Sequence, residues 1–336
     1  MADTPADLMR LVALMHGFRS TQTIYVFAKL GLADHLADSP LTAAELASTV
    51  DADPASLGRV LRLAAYYGVV TELREGRFEL TPFGQPLRSD AKESIAPTAI
   101  MLGQEHYRAW GSLLHAVIRG ESAFQHVYGM PMFDYLAKHA DAQADFDAAM
   151  GSGTEVFLRS LVGLYDFSES RLMVDVGGGN GSVSAVILKQ NPSLEAVIYD
   201  QPQVLDAADR YLTAAGVRSR CRLVPGDFFS SVPDDGDLYI LSKIVHDWDD
   251  ERAVRILRNC RTSMKPSAAV LLLEAVLPEH GRPSVATMFD VNMMVMLTGR
   301  ERTEAQFRSL LAGADLRLTS VVAISDRLSL IEARHP

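Results

Sequence analysis

The sequence predicts an α/β protein: a mostly parallel sheet with helices on both faces and an antiparallel hairpin at its carboxyl end, preceded by a mainly helical part. Three observations carry this. From Arg171 onward, five short apolar runs alternate with helical stretches, as strands buried on both faces do. A glycine-rich turn, Asp175-Val-Gly-Gly-Gly-Asn-Gly181, joins the first run to a helix. Residues 41–90 carry helix, turn, helix and hairpin signals in succession.

The elements follow in order. Leu8, Leu11, Val12, Met15 and Phe18 recur at helical spacing within Leu8–Leu30, and Gly31 ends that run. Thr42 and Glu45 form a capping-box pattern. Asp51-Ala-Asp-Pro54 is a turn that sets Pro54 near the first position of the next helix. Ser56–Tyr67 is amphipathic, with Leu57, Val60, Leu61 and Ala64 inward, and Gly68 stops it. Val69–Leu73 and Arg77–Leu80 read as a hairpin around Glu75-Gly76, which completes a winged-helix pattern. Ala96–Gly163 is again helical, broken near Gly120 and Gly129-Met-Pro131. The five apolar runs are Leu172–Val176, Ala196–Tyr199, Cys221–Val224, Asp237–Leu241 and Ala268–Val276. Helical stretches Ser182–Gln190, Gln203–Ala215 and Asp250–Met264 separate most of them. Leu316–Pro336 reads as two strands meeting at Ser325-Asp326-Arg327.

Charge narrows the function classes. Asp plus Glu is 42 against 32 Lys plus Arg, a net charge of −10, which argues against nucleic-acid and anionic-membrane binding. The winged-helix pattern is the one feature that suggests DNA. Its candidate recognition helix carries only Arg59 and Arg62, and residues 41–90 hold 5 basic and 7 acidic residues, so counterion release supplies little affinity. The pattern therefore reads as a dimerisation module. Cys221 and Cys260 are the only cysteines, too few for a disulfide framework or a four-thiolate zinc site. The start has no signal-peptide pattern, and no apolar run reaches the roughly 20 residues of a membrane span. A cytoplasmic protein is expected.

The glycine turn places a ligand. Glycines there let the backbone turn sharply and approach a ligand closely. The dinucleotide pattern G-x-G-x-x-G would need glycine at 182, where Ser182 stands, which argues against a nicotinamide enzyme; the fit is D-x-G-x-G-x-G on Asp175, Gly177, Gly179 and Gly181. Asp200 ends the second apolar run, where a carboxylate can accept from ribose hydroxyls. Gly226-Asp-Phe-Phe229 ends the third, where Asp227 can accept from an adenine amino group and Phe228 can flank the base. Each alone has a structural alternative: an ordinary strand-end or helix-cap residue for Asp200, and a turn with core aromatics for Asp227 and Phe228. Three acids at the carboxyl ends of three successive strands mark the ligand edge of an open α/β sheet.

With these residues in place, the sequence resembles the class I S-adenosylmethionine-dependent methyltransferases. More narrowly, it resembles the two-domain small-molecule O-methyltransferases: plant caffeate and flavonoid enzymes, and bacterial enzymes that tailor polyketide, anthracycline, mitomycin and phenazine metabolites. The matching segments are VDVGGGNG, VIYDQPQVL, GDFF, LSKIVHDWDDE, LLLEAVLPE and GRERTEAQF, in the family's order and across nearly the whole chain. The resemblance implies a Rossmann-like, seven-stranded methyltransferase sheet over 166–336. It implies a helical, winged-helix dimerisation domain over 1–100, with connecting helices over 101–165 that line the acceptor pocket. It implies S-adenosylmethionine as cofactor, S-adenosylhomocysteine as product, no metal, and a homodimer. The Gly177–Gly181 loop would hold the methionine part, and Asp175 and Gly226 would be cofactor-binding as well. Asp200 would hold the ribose, and Asp227 and Phe228 the adenine. Ser242, Lys243 and Trp248 match positions near the cofactor.

His246 follows the fourth strand on the same edge. Methyl transfer is an in-line displacement, and a phenol with a pKa near about 10 reacts best as phenolate. A histidine with a pKa near about 6.5 can take that proton, and such base catalysis is worth about 10²–10⁴ in rate. A carboxylate on its other ring nitrogen would fix the tautomer. Glu274, ending the fifth strand, and Glu301, in Gly-Arg-Glu-Arg-Thr303, match the family's two carboxylates. Against this, Glu301 can be read as a helix N-terminal acid beside Arg300 and Arg302. Asp249, Asp250 and Glu251 read as capping and first-turn acids rather than metal ligands.

Phe146, Met150, Asn292, Met293 and Met296 fall where the family lines its acceptor pocket, although methionines at helical spacing are more often core. Leu102-Gly103 stands where the plant caffeate enzymes have Met-Asn, and Gly153 where they have His. This points to an aromatic acceptor other than a lignin precursor. The rival within the family is a member that keeps the cofactor structurally for hydroxylation or decarboxylation.

Overall fold

The computed structural model describes residues 5–151, 161–279 and 282–336. Two compact units make up the chain: Met1–Arg108 with Leu136–Gly153, and Ala109–Tyr135 with Thr154–Pro336.

In the first unit the capping box forms. The Glu45 N–H donates to Thr42 Oγ1 at 3.2 Å and the Thr42 N–H to Glu45 Oε2 at 2.7 Å, which starts the helix Ala43–Val50. Asp53 caps the helix Pro54–Tyr66 by accepting from the Ser56 N–H at 2.8 Å. Leu57, Leu61 and Ala64 of that helix are buried with Phe27, Leu46 and Phe78. Strands β1 (Leu41–Thr42), β2 (Val70–Glu72) and β3 (Arg77–Leu80) form an antiparallel sheet in the order β1-β3-β2. The β2–β3 turn passes through Glu75 and Gly76 in the left-handed region. Two-residue β1 is too short to leave a periodic signal.

Two helical expectations are corrected. Leu8–Leu30 is not one helix but two, Pro5–Met15 and Gly17–Lys29, which meet at His16. The stretch from Ala96 is a series of short helices, Ala96–Gly103, Glu105–Trp110, Leu113–Arg119, Ala123–Tyr128, Met132–Leu136 and Ala140–Gly151. Gly120 and Gly129 break it as expected, each with φ in the left-handed region. Breaks at Gln104 and at Gly111-Ser112 go beyond that expectation. Gly153 lies outside the described residues.

The second unit holds the sheet. Strands β4 (Leu172–Val176), β5 (Glu195–Asp200), β6 (Cys221–Pro225), β7 (Leu238–Ser242) and β8 (Ala269–Glu274) run parallel. The terminal strands β11 (Arg317–Ser325) and β12 (Leu328–Arg334) form the expected hairpin, and β12 inserts antiparallel against β8. The order is β11-β12-β8-β7-β4-β5-β6. From β4 the chain runs outward to β6, then returns to β7 on the other side of β4. That reversal opens a crevice at the carboxyl ends of β4 and β7, where open α/β sheets bind ligands. Alternate strand residues feed two cores. Met173, Leu271 and Leu273 pack on one face; Val174, Val270 and Leu272 pack on the other. This is why the strands read as continuous apolar runs.

The run Ala268–Val276 is not one strand. β8 ends at Glu274, and after Ala275 the chain leaves the sheet as β9 (Val276–Leu277), which pairs parallel with β10 (Arg302–Thr303). This small ladder brings Glu301, one residue before Arg302, beside the end of β8. Among the described residues, no helix is long and apolar enough to cross a membrane.

Candidate active site

The loop after β4 is built on left-handed glycines. Gly177 has φ +69 and Gly179 has φ +55, values that side-chain-bearing residues rarely adopt. Gly177 also lacks room: a Cβ there would lie 2.5 Å from Ile244 Cδ1. Around Gly179 the space is open within 4 Å, so its glycine answers to conformation alone. The Gly179 N–H donates to Asp200 Oδ2 at 2.8 Å, which ties the loop to the end of β5.

Asp175 lies under this loop, almost fully buried. Ser184 Oγ donates to it at 2.5 Å, which anchors the following helix to β4. Burial pushes its carboxyl up to about 6, with the Ser184 bond opposing. Its first task is thus to support the loop. Gly226, expected at the cofactor, has a packing reason of its own: a Cβ there would lie 2.2 Å from the Tyr199 hydroxyl oxygen and 2.3 Å from its ring. Asp227 is exposed and orders its own turn, accepting from the Phe229 N–H at 2.9 Å and from Ser230 Oγ at 3.1 Å.

Aromatic rings gather beside these strand ends. The Trp248 ring lies 4.7 Å from that of Phe229 and 6.1 Å from those of Phe228 and Phe133. Trp248 Nε1 is buried without a partner among the described residues, a donor that costs free energy until something accepts from it. Ser242 ends β7, and Lys243 follows with φ +55. Lys243 has exposed surface, yet crowding by surrounding protein lowers its pKa, against the pull of Glu274 and Glu301. Left-handed glycines, a strand-end carboxylate, an orphan indole N–H and a nearby lysine suit a ligand with a zwitterionic tail, a ribose and a flat base. The donor set thus fits S-adenosylmethionine.

His246 sits in the short helical turn Val245–Asp247 after β7. Its Nδ1 lies 2.9 Å from Glu301 Oε1 and 3.5 Å from Glu274 Oε2, and its Nε2 lies 3.3 Å from Asp247 Oδ1. Glu274 is itself held in place, accepting at Oε1 from the Ile244 and Val245 N–H groups at 3.0 and 2.7 Å. The Glu301 N–H donates to Asp290 at 3.0 Å. Burial works against a proton on His246, but Glu274, Asp247 and Glu301 outweigh it and raise the imidazole from 6.5 to about 10. The expected value near 6.5 therefore does not apply to the ligand-free chain. Burial also holds Asp247 up at about 6 and Glu274 at about 7. Glu301 is buried rather than a helix-start acid; Thr303 caps that helix instead, with Gln306 completing a capping box. Asp249 caps its helix as expected, accepting from the Arg252 N–H at 2.9 Å. His246, Glu274 and Glu301 have the spacing of a metal cluster. Their contacts are already those of an imidazole and its carboxylate partners.

Sequence reasoning gave Asp247 no role, because an acid in a run of acids carries no separate signal. Of the acceptor-pocket residues in this unit, Asn292 accepts at Oδ1 from Trp110 Nε1 at 2.9 Å. That bond leaves the Asn292 amide donors available. Met293 is mostly buried, and Met296, at 1 % exposure, lies within the core. Phe146 and Met150 belong to the first unit, on the helix Ala140–Gly151, the first half-buried and the second exposed.

Comparison with known proteins agrees with this geometry. Residues 110–317 match the O-methyltransferase domain, and residues 12–89 match the O-methyltransferase dimerisation domain. The chain is 43 % identical over 324 residues to phenazine O-methyltransferase of Lysobacter antibioticus, covering 96 % of this chain and 95 % of the relative. It is 40 % identical over 327 residues to 3-amino-4-hydroxybenzoate 4-O-methyltransferase of Streptomyces cremeus, covering 96 % and 89 %. It is also similar to a crystal structure of an O-methyltransferase from neocarzinostatin biosynthesis in complex with S-adenosylhomocysteine and 1,4-dihydroxy-2-naphthoic acid. There the TM-score is 0.84 at 31 % identity, covering 94 % of this chain and 96 % of the other. Some relatives are named as N-methyltransferases. The chain belongs to the O-methyltransferase family, whose members are S-adenosylmethionine-dependent methyltransferases.

Proposed function

We propose that this protein methylates a phenolic hydroxyl of an aromatic secondary metabolite in the cytoplasm, with His246 as general base. The observation that carries the reading is the His246 cluster. An imidazole stands at the ligand edge of the sheet, with Nδ1 held by Glu301 and Nε2 on the other side of the ring. When bound, S-adenosylmethionine supplies an electrophilic methyl group and a positive charge, which opposes the carboxylates that hold the proton on His246. An Nδ1–H donated to Glu301 selects the tautomer whose Nε2 lone pair can accept a proton. An imidazole raised towards the phenol's own pKa of about 10 takes that proton at little cost. Gly177, Gly179, Asp200, Asp227, Phe228, Lys243 and Trp248 would hold the cofactor, while Asp175 supports the loop and Glu274 orients His246. Relatives named for phenazine, aminohydroxybenzoate and naphthoate substrates support a hydroxylated aromatic acceptor. The test is calorimetric titration with S-adenosylhomocysteine, then incubation with S-adenosylmethionine and a panel of hydroxylated and amino aromatics. Binding and a product heavier by one methylene are expected. Tight NAD binding with none to S-adenosylhomocysteine would overturn the reading.

The dimerisation domain supports a homodimer built through the first unit. Leu8, Met9, Leu11, Leu14, Met15 and Phe18 stand between 51 % (Phe18) and 71 % (Leu14) exposed, an apolar face that a second copy would cover. Light scattering should give twice the chain mass, and Leu11→Lys with Leu14→Lys should shift it to a monomer. A monomeric wild type would refute this assembly.

A further inference from the structure

Arg302 is the largest fully buried side chain among the described residues, with no exposed surface. A buried guanidinium is costly unless every N–H is used. Here all five are. Nε and one Nη2 hydrogen meet Asp250 Oδ1 at 3.0 and 2.9 Å. The second Nη2 hydrogen meets the Trp248 carbonyl at 2.9 Å. The Nη1 hydrogens meet the Val245 and Arg300 carbonyls at 3.1 and 3.3 Å. Four of the five bonds therefore end on residues 245–250. Two of those acceptors are the carbonyls of Val245 and Trp248, just before and just after the His246–Asp247 pair.

We propose that Arg302 is the positioning residue for His246, fixing the backbone on both sides of the imidazole while the adjoining Glu301 holds its Nδ1. This deepens the reading above and rests on it. The arrangement couples two distant segments through one dipeptide. Glu301 engages the ring and Arg302 the loop that carries it, so the ring and its carboxylate keep one register. Glu274 anchors the start of the same loop through the Ile244 and Val245 N–H groups. Arg302 anchors its end through Trp248 and Asp250. Lysine could not replace it. An ammonium has three donors on a flexible stem and no planar fork, so at least two of the five hydrogen bonds would be lost.

The test uses Arg302→Lys, which keeps the charge and removes the fork. Two readouts are followed: the His246 ring titration by NMR in the ligand-free protein, and the kcat, KM and S-adenosylhomocysteine Kd of the enzyme. The expected result is a lower ring midpoint as the carboxylates lose register. A kcat fall of about 10–100-fold should accompany it, the scale of an ångström-size misplacement, with the Kd within about threefold. A wild-type titration and kcat would overturn the proposal. So would a loss of Kd in proportion to kcat, which marks general disruption. If Arg302→Lys does not fold, Asp250→Asn decides. It leaves Arg302 in place but removes its charged acceptor, and a smaller shift of the same sign is expected; no shift overturns the proposal. The ring titration needs no turnover. Failure of the methyl-transfer reading would appear as His246→Ala turning over like wild type, whatever Arg302→Lys does to the ring.

Discussion

Replacing His246 with alanine should lower kcat by about 10²–10⁴ while S-adenosylhomocysteine affinity stays within a few-fold of wild type. The rate range is what general-base catalysis contributes, and what remains comes from holding acceptor and methyl donor together. Affinity is retained because the glycine loop and Asp200 are tied to each other and to β5, not to His246. The size of the rate at each pH separates a base from a spacer. Only neutral imidazole can accept a proton, and the ring of the ligand-free chain holds its proton up to about pH 10. The wild-type rate should therefore rise with pH through neutrality, by up to about tenfold per unit while the ring is mostly protonated. The alanine variant has only the acceptor's own ionisation, which also rises towards a pKa of about 10, so it should show a parallel but lower limb. Rate measurements from about pH 6 to 10, from the ordinary histidine value to the phenol value, check this. Equal turnover by variant and wild type would remove His246 from the mechanism.

Gly299→Ala should be among the most damaging single-atom additions in the chain. A Cβ there would lie 1.8 Å from the His246 carbonyl oxygen and 2.4 Å from the Asp247 carbonyl carbon. Both are backbone atoms, so no side-chain rotation relieves the overlap. The segment from Gly299 must move away, and it carries Glu301 and Arg302 with it. The expected cost is about 3 kcal/mol, the upper part of the overpacking range. A loss of about 100-fold in kcat should follow, as His246 loses its carboxylate register. Urea unfolding and steady-state rates measure the two effects. Near-wild-type values for both would mean that the close approach is not maintained in solution. The glycine stands in the Gly-Arg-Glu-Arg-Thr motif, but nothing local to that motif explains it. Its reason is a peptide group more than fifty residues earlier in the chain.

The two loops at the ligand edge were legible in different degrees. The D-x-G-x-G-x-G turn could be read because its constraint is local. The φ values of Gly177 and Gly179 belong to those residues, and the strand before and helix after them carry their own patterns. The same holds for the Thr42–Glu45 capping box and the Asp53 cap, whose partners lie three residues away. Asp250 shows the limit of local reading. It sits in the first turn of its helix as the sequence suggests, yet its carboxylate also binds Arg300 and Arg302. Arg302 in turn is, in the sequence, only a neighbour of Glu301. An arginine in a polar loop has no periodicity to betray its burial.

The sequence alone determined the α/β architecture, the terminal hairpin and the strand ends that bear Asp200, Asp227, His246 and Glu274. Each follows from hydrophobic period or turn chemistry within a few residues. Only the tertiary structure decided which groups meet. β9 leaves the sheet to pair with β10, and that ladder brings Glu301 to His246 and Arg302 to the carbonyls around it. It also decided that His246 holds its proton well above the ordinary histidine range, because three carboxylates converge on one buried ring. Such convergence is a property of distances between segments. Hydrogen bonds and charges act through a few ångströms of space, whatever the separation along the chain.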